Sequence, residues 1–346
     1  MSKRLRWGVI GAGGIARRRT IPEGILRADN SLLAAVCDPA CGPDVAREFG
    51  AALCPTAADL VARGDVDAVY VATPVHLHVE QGLLAAAAGK HVLCEKPLAL
   101  DVDSAGQLVD ACARAGVALG TAFMMRFHPL HVWAIEAVRG GRIGTPVFGR
   151  AQLSCWYPPI PGAWRQDPAL GGGGALVDLG SHCIDLLEQV FGPVARVACT
   201  IARRVQDYPV DDTAAIVMEF ESGARGVVDC LFNVPDNASE NRLEVYGSTG
   251  SLLAGGTIGQ TAGGTMKMRS AAPGSYDPAQ DRVSDPGLAE IAAASGDSLY
   301  LSEIRAFADA VLTGRPVPVD GKAGLHVQRV LAACYSSAAS GRFVQV

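Results

Sequence analysis

From Leu5 to Ala122, short runs of β-branched and apolar residues alternate with longer Ala- and Leu-rich stretches whose apolar positions recur at helical spacing. That rhythm predicts a parallel sheet wrapped by helices. Strands are expected at Leu5 to Ile10, Leu32 to Cys37, Ala68 to Ala72, His91 to Cys94 and Val117 to Thr121. Helices are expected over Gly14 to Ala28, Asp44 to Gly50, Ala57 to Arg63, His76 to Ala88 and Val102 to Ala115. Gly89 and Gly116 fall just past two of these helices, where a left-handed cap residue is wanted.

Beyond Phe123 the period changes. A helical stretch from Pro129 to Arg139 stops at Gly140-Gly141. Alternating segments follow at Val147 to Trp156, Val194 to Arg203, Thr213 to Glu221, Ala224 to Phe232 and Arg242 to Tyr246, with turns at Glu221-Ser222-Gly223 and Gly247-Ser248-Thr249-Gly250. Strands in hairpin succession predict a mainly antiparallel sheet and an α+β domain. The Gly-, Ala-, Ser- and Pro-rich stretch 257–296 is expected to form exposed loops, and helices at Leu299 to Thr313 and Ala323 to Ala339 close the chain. The expected division is 1–123 and 124–346, and 346 residues are enough for two cores.

A net charge of −5 gives no electrostatic reason to expect nucleic acid or an anionic membrane as partner, and no apolar run reaches bilayer-spanning length. The ten cysteines are scattered without any Cys-x-x-Cys and read as small buried hydrophobes. With no signal-like apolar segment at the start, a reducing cytoplasm is expected, where the Asn237-Ala238-Ser239 sequon carries no meaning.

Gly11-Ala12-Gly13-Gly14-Ile15-Ala16 directly follows the first predicted strand and opens the first helix. Gly11 permits the tight turn, Gly13 lets backbone approach a pyrophosphate, and Ala16 allows helix to pack on strand, as in a Rossmann dinucleotide site. Asp38 ends the second strand, where a carboxylate binds ribose hydroxyls. Its distance from Gly11 exceeds the usual roughly 20 residues. A carboxylate there repels a 2′-phosphate, so NAD is favoured. NADP stays open because Arg17-Arg18-Arg19, otherwise read as a solvated helix face, could reach a phosphate.

Thr73-Pro74-Val75-His76-Leu77-His78 and Glu95-Lys96-Pro97 follow two other strands, at the sheet ends that face ligands in such folds. Lys96 suits stabilisation of a developing alkoxide or a proton relay. Far downstream, Asp178 and His182 lie one helical turn apart after the run Gly171-Gly172-Gly173-Gly174, so the carboxylate is expected to orient the imidazole and tune it. Asp178, His182 and Asp185 could be read as metal ligands, but no matching cluster accompanies them and no metal is expected. His76, His91, His131 and His326 are read as packing or surface residues.

These motifs, with Arg126-Phe127-His128-Pro129, Asp178-x-Gly180-x-His182-x-x-Asp185, Tyr246-Gly247-Ser248-Thr249-Gly250 and the closing helix from Tyr300, occur in the order that resembles the glucose-fructose oxidoreductase / inositol dehydrogenase family. The resemblance spans nearly the whole chain. It implies a Rossmann domain followed by a domain with a large, open, mainly antiparallel sheet that often forms an oligomer interface, so a homodimer or homotetramer is expected. It further implies hydride transfer between a nicotinamide and a carbinol carbon of a sugar, inositol or related polyol, with Lys96, Asp178 and His182 as the catalytic set.

The expected cofactor contacts are Gly11, Gly13, Gly14, Ile15, Asp38, Thr73, Pro74, His78, Glu95, Lys96, Trp164, Arg165 and Tyr300. Arg126 and Tyr157 are expected to join the catalytic set around substrate. Val75 departs from the asparagine many members carry. Two alternatives remain: an enzyme that uses tightly held NAD transiently to drive sugar elimination or hydrolysis, and a non-catalytic dinucleotide sensor.

Overall fold

The computed structural model describes residues 3–271, 274, 276, 278, 288–292 and 296–346. Six strands, β1 (Leu5–Ile10), β2 (Ser31–Cys37), β3 (Ala52–Leu53), β4 (Ala68–Val71), β5 (His91–Cys94) and β6 (Leu119–Thr121), form a parallel sheet of order β3-β2-β1-β4-β5-β6. The order reverses between β1 and β4, which opens a crevice at their carboxyl ends. The sheet is covered on both faces, which is why β1, β4 and β5 are nearly continuous apolar runs.

One face packs on helices 57–61, 78–87 and 102–115 through Leu60, Ala85 and Leu108. The other packs on Ile21 and Ile25, and on Ile304 and Phe307 of the helix Leu299–Thr313, with the Trp7 and Phe307 rings 5.3 Å apart. The first core therefore includes a segment from far beyond residue 123.

The helix expected after the glycine motif is present but altered: Ala16–Ile25 winds as a π-helix with Pro22 inside it. Proline has no N–H and its ring crowds the carbonyl one turn earlier, and a wider turn relieves both.

The second sheet contains β7 (Pro146–Ser154), β8 (Val194–Ala202), β9 (Thr213–Phe220), β10 (Arg225–Leu231), β11 (Arg242–Gly247), β12 (Gly250–Gly255), β13 (Thr265–Ser270), β14 (Leu288–Ile291) and β15 (Val344–Gln345), in the order β14-β13-β12-β11-β7-β10-β9-β8-β15. β7 and β10 pair in parallel, and the other pairings among the described residues are antiparallel. Alternate residues such as Leu153, Ile216, Val228 and Val245 face a core shared with the helix Ser181–Phe191 and the helix Gly321–Ser340. Val217 and Tyr246 are exposed.

The stretch 257–296 is not all loop, since β13 and β14 lie in it. Only Met266 is buried in β13, so the apolar alternation that would announce a strand is absent. The loop expectation for 272, 273, 275, 277, 279–287 and 293–295 lies outside the described residues. All ten cysteines are free thiols. No described helix is long and apolar enough to cross a membrane.

Candidate active site

A cavity of about 610 Å³ opens at the carboxyl ends of the parallel strands and is closed over by the second sheet and its helices. Gly14, Ile15, Thr73, His78, Glu95, Lys96, Tyr157, Trp164, Arg165, Asp178, His182 and Tyr300 all line it. Gly11, Gly13, Asp38 and Pro74 lie outside that lining, and so does Arg126.

Gly11 has φ +82°, and a Cβ there would come within 2.6 Å of the Thr73 backbone nitrogen, so the loops after β1 and β4 touch through a position only glycine fills. Gly14, at φ +46°, has no atom within 4 Å of where its Cβ would stand and leaves its backbone open to a ligand. Asp38 accepts from the amides of Gly13 at 3.2 Å, Ala40 at 2.9 Å and Cys41 at 3.0 Å. Burial would raise its carboxyl, but these amides outweigh it and hold the group below the usual range. Of the neighbouring arginines, Arg17 pairs with Glu48 and Arg19 with Glu23. Arg18 lines the cavity without an ion pair among the described residues.

His78 corrects an expectation. Its ring nitrogens face the carbonyls of Pro97 and Thr73, each at 2.9 Å, so it ties together the loops after β4 and β5 and has no nitrogen to offer a cofactor. Burial lowers its pKa to about 4, so the ring is neutral and supplies one donor between the two carbonyls. Glu95 accepts from the Tyr70 hydroxyl at 2.5 Å, and Tyr70 in turn lies 3.0 Å from Thr20 Oγ1. Burial raises the Glu95 carboxyl above its ordinary range against the pull of Tyr70 and Lys96.

Lys96 Nζ donates to both the backbone carbonyl and Oδ1 of Asp178, each at 2.7 Å. An ammonium has three protons, and the third has no acceptor among the described residues. Arg165 Nε adds a longer bond to the same oxygen at 3.3 Å, while its guanidinium lies 4.1 Å from the centre of the Trp164 ring. Burial would raise the Asp178 carboxyl, but the charges of Lys96 and Arg165 hold it well below the usual range.

The expected contact between Asp178 and His182 is not made: no hydrogen bond joins them among the described residues, and Nδ1 of His182 is enclosed without a partner. Leu176–Gly180 forms a π turn, so residues four apart no longer stack as in an α-helix, and Lys96 has taken the carboxylate. The ring stands edge-on to Phe123 at 5.9 Å. Burial, then the charge of Lys96, drives its pKa well below the ordinary histidine value, so His182 is neutral at pH 7.

Arg126 is corrected as well. It forms a buried pair with Asp185, donating from Nε at 2.8 Å and also from Nη2, and it reaches Gln189 when that amide is turned to accept. Both carboxylate oxygens of Asp185 are thereby engaged by Arg126. Sequence reasoning missed Met124, Met125, Cys155, Asp236, Asn241 and Gln260, which also line the cavity. Met124 and Met125 come from the turn after β6, and the others from strand ends and loops of the second sheet, where no local pattern marks them.

The residues fit a dinucleotide. The glycine turn leaves open backbone at Gly14, and the Tyr300 hydroxyl and His182 Nδ1 are enclosed polar atoms without protein partners. Residues 5–123 match the oxidoreductase family with an NAD-binding Rossmann fold, and residues 131–253 match the GFO/IDH/MocA C-terminal domain. The chain belongs to this family. It is an NAD(P)-dependent oxidoreductase.

Among GFO/IDH/MocA relatives, a 1,5-anhydro-D-fructose reductase of Ensifer adhaerens is 36% identical over 77% of this chain and 80% of that protein. A D-xylose 1-dehydrogenase (NADP(+)) of Haloferax volcanii is 31% identical over 99% of this chain and 100% of its own. The crystal structure of an aldose-aldose oxidoreductase from Caulobacter crescentus, complexed with glycerol, superposes with a TM-score of 0.88 at 27% identity, covering 99% of this chain and 100% of that one.

Proposed function

We propose that this enzyme moves a hydride between a nicotinamide cofactor and a secondary alcohol or ketone carbon of a sugar or cyclic polyol. In this reading residues 1–123 hold the cofactor and 124–346 supply the substrate side. The observation that carries it is the convergence of Lys96, Asp178 and His182 on the cavity that the glycine turn borders. The relatives named above act on sugars by their names, which points to the same substrate class.

Bound nicotinamide supplies the hydride acceptor or donor. Asp178 holds the Lys96 ammonium through two of its protons, and the third binds the substrate oxygen. His182, neutral and enclosed, takes the hydroxyl proton during oxidation and returns it during reduction. Asp178 acts on His182 through charge alone. Tyr157 borders the substrate, Trp164 and Arg165 reach the cofactor, and Asp38 favours NAD because a fixed carboxylate beside Gly13 repels a 2′-phosphate.

The test is absorbance at the NADH wavelength with NAD or NADP and a panel of inositols, pyranoses, anhydrosugars and sugar acids, in both directions. Turnover with one class, faster with NAD, is expected. Cofactor binding by tryptophan quenching without turnover on any of the panel would refute the reading.

A further inference from the structure

The run Gly173-Gly174-Ala175-Leu176 begins the helix that carries Asp178 and His182, and one buried residue takes its amides. Asp211, 6% exposed and just ahead of β9, accepts from Gly174 N at 3.1 Å through Oδ1 and from Leu176 N at 2.8 Å through Oδ2. Its own carbonyl accepts from Ala175 N at 2.9 Å. A helix start leaves such amides without intrahelical partners, and a carboxylate there also meets the positive end of the helix dipole.

Tyr335, on the helix Gly321–Ser340, donates its hydroxyl to Asp211 Oδ1 at 2.8 Å. Burial and the neighbouring Asp211 push that phenol well above its ordinary value, so it stays a donor. The glycines are shaped to this pair. A Cβ on Gly174 would lie 1.9 Å from the Asp211 carbonyl oxygen, and one on Gly173 would lie 2.0 Å from the Tyr335 hydroxyl.

The geometry points to Asp211 and Tyr335 as positioning residues for the reaction. The Asp178 amide donates to Gly174 O at 3.0 Å, so the height of Gly174 sets that of Asp178. Asp178 grips Lys96 with a backbone oxygen and a carboxylate oxygen at once, and a shift of the helix start changes both bonds together. Neither Asp211 nor Tyr335 lines the cavity. The pair acts only by fixing where the ammonium and the imidazole stand, which is what turnover is sensitive to when reacting groups move by about 1 Å. This inference rests on the catalytic assignment above.

Asp211→Asn tests it, because an amide has one acceptor oxygen and cannot serve both sides of the cradle. Turnover is expected to fall roughly 10- to 100-fold, with the KM for the nicotinamide cofactor within about twofold of wild type. In the His182→Ala background the same substitution is expected to add little, since groups acting as one unit are not additive.

An activity-independent arm follows Lys96 by its rate of reductive methylation. The internal control is Lys90, whose Nζ also donates to two oxygens, the backbone carbonyls of Arg63 and Val66. Lys96 is expected to label faster in the variant while Lys90 does not change. Tyr335→Phe, which leaves both amide bonds to Asp211, is expected to lower turnover by about threefold to tenfold and serves if Asp211→Asn does not fold. Wild-type turnover in both variants, or equal loosening of Lys90, overturns the inference. If the wild-type enzyme turns over nothing in the panel, the catalytic assignment fails, and Lys96 labelling alone decides whether the pair sets its position.

Discussion

Replacing Lys96 with Met keeps an unbranched stem and removes the charge between Asp178 and the cavity. In the reading above, the one Nζ proton not claimed by Asp178 stabilises charge on the reacting oxygen. Loss of one such donor costs about 2.7–4 kcal/mol of transition-state stabilisation, or roughly a hundred- to thousandfold in kcat.

The substitution also moves His182 in a stated direction. Burial and then Lys96 depress the imidazole, and Asp178 opposes them. Without Lys96, its pKa rises towards the ordinary value. A base must be deprotonated to act, so the acid limb of kcat/KM moves to higher pH.

Stability follows the carboxylate. Asp178 is depressed in the folded protein, so its contribution is present above the unfolded value of about 3.9 and is lost as pH falls through the folded one. Removing Lys96 shrinks that contribution. The resulting gap from wild type should be full near neutrality and close below about pH 4. Steady-state rates across pH and urea unfolding at several pH values measure all three effects. A kcat within threefold of wild type, or an acid limb that stays or moves down, would refute the reasoning.

His182→Ala should lower turnover by roughly two to four orders of magnitude with cofactor binding retained, read by single-turnover absorbance and fluorescence quenching. Arg126→Met leaves Asp185 buried without its partner and should cost about 3–5 kcal/mol in urea unfolding. Gly174→Ala drives a methyl into the Asp211 carbonyl and should cost about 1–3 kcal/mol or more, visible as a lower melting temperature. Asp38→Ser removes a fixed negative charge and should improve the kcat/KM ratio for NADP over NAD by roughly tenfold.

The parallel sheet was legible because its central strands are buried on both faces and read as nearly continuous apolar runs, with glycines at the turns. The strands of the second sheet from β7 to β11 were legible by alternation, although the parallel pairing of β7 with β10 was not. β13 and β14 were not, because β13 buries a single residue and β14 runs along the sheet edge, which leaves no apolar period to read. Lys96, Asp178 and His182 could be named from their motifs, but their wiring could not. An i, i+4 spacing implies a shared helix face only if the turn is α-helical, and 176–180 is not. Arg126 showed the same limit, since a motif gives a residue's position and says nothing of the buried carboxylate that claims it. The cradle formed by Asp211 joins residues about 35 apart, beyond any local pattern.

The helix Leu299–Thr313 has a consequence for how the protein is made. Trp7 and the first sheet receive Phe307 and Ile304 only from this segment, so during synthesis the nucleotide-binding half stays only partly covered on that face, by Ile21 and Ile25, until residues 299–313 have left the ribosome. The half that emerges first is therefore among the last to be completed, and a fragment ending near residue 123 would expose that apolar face to aggregation.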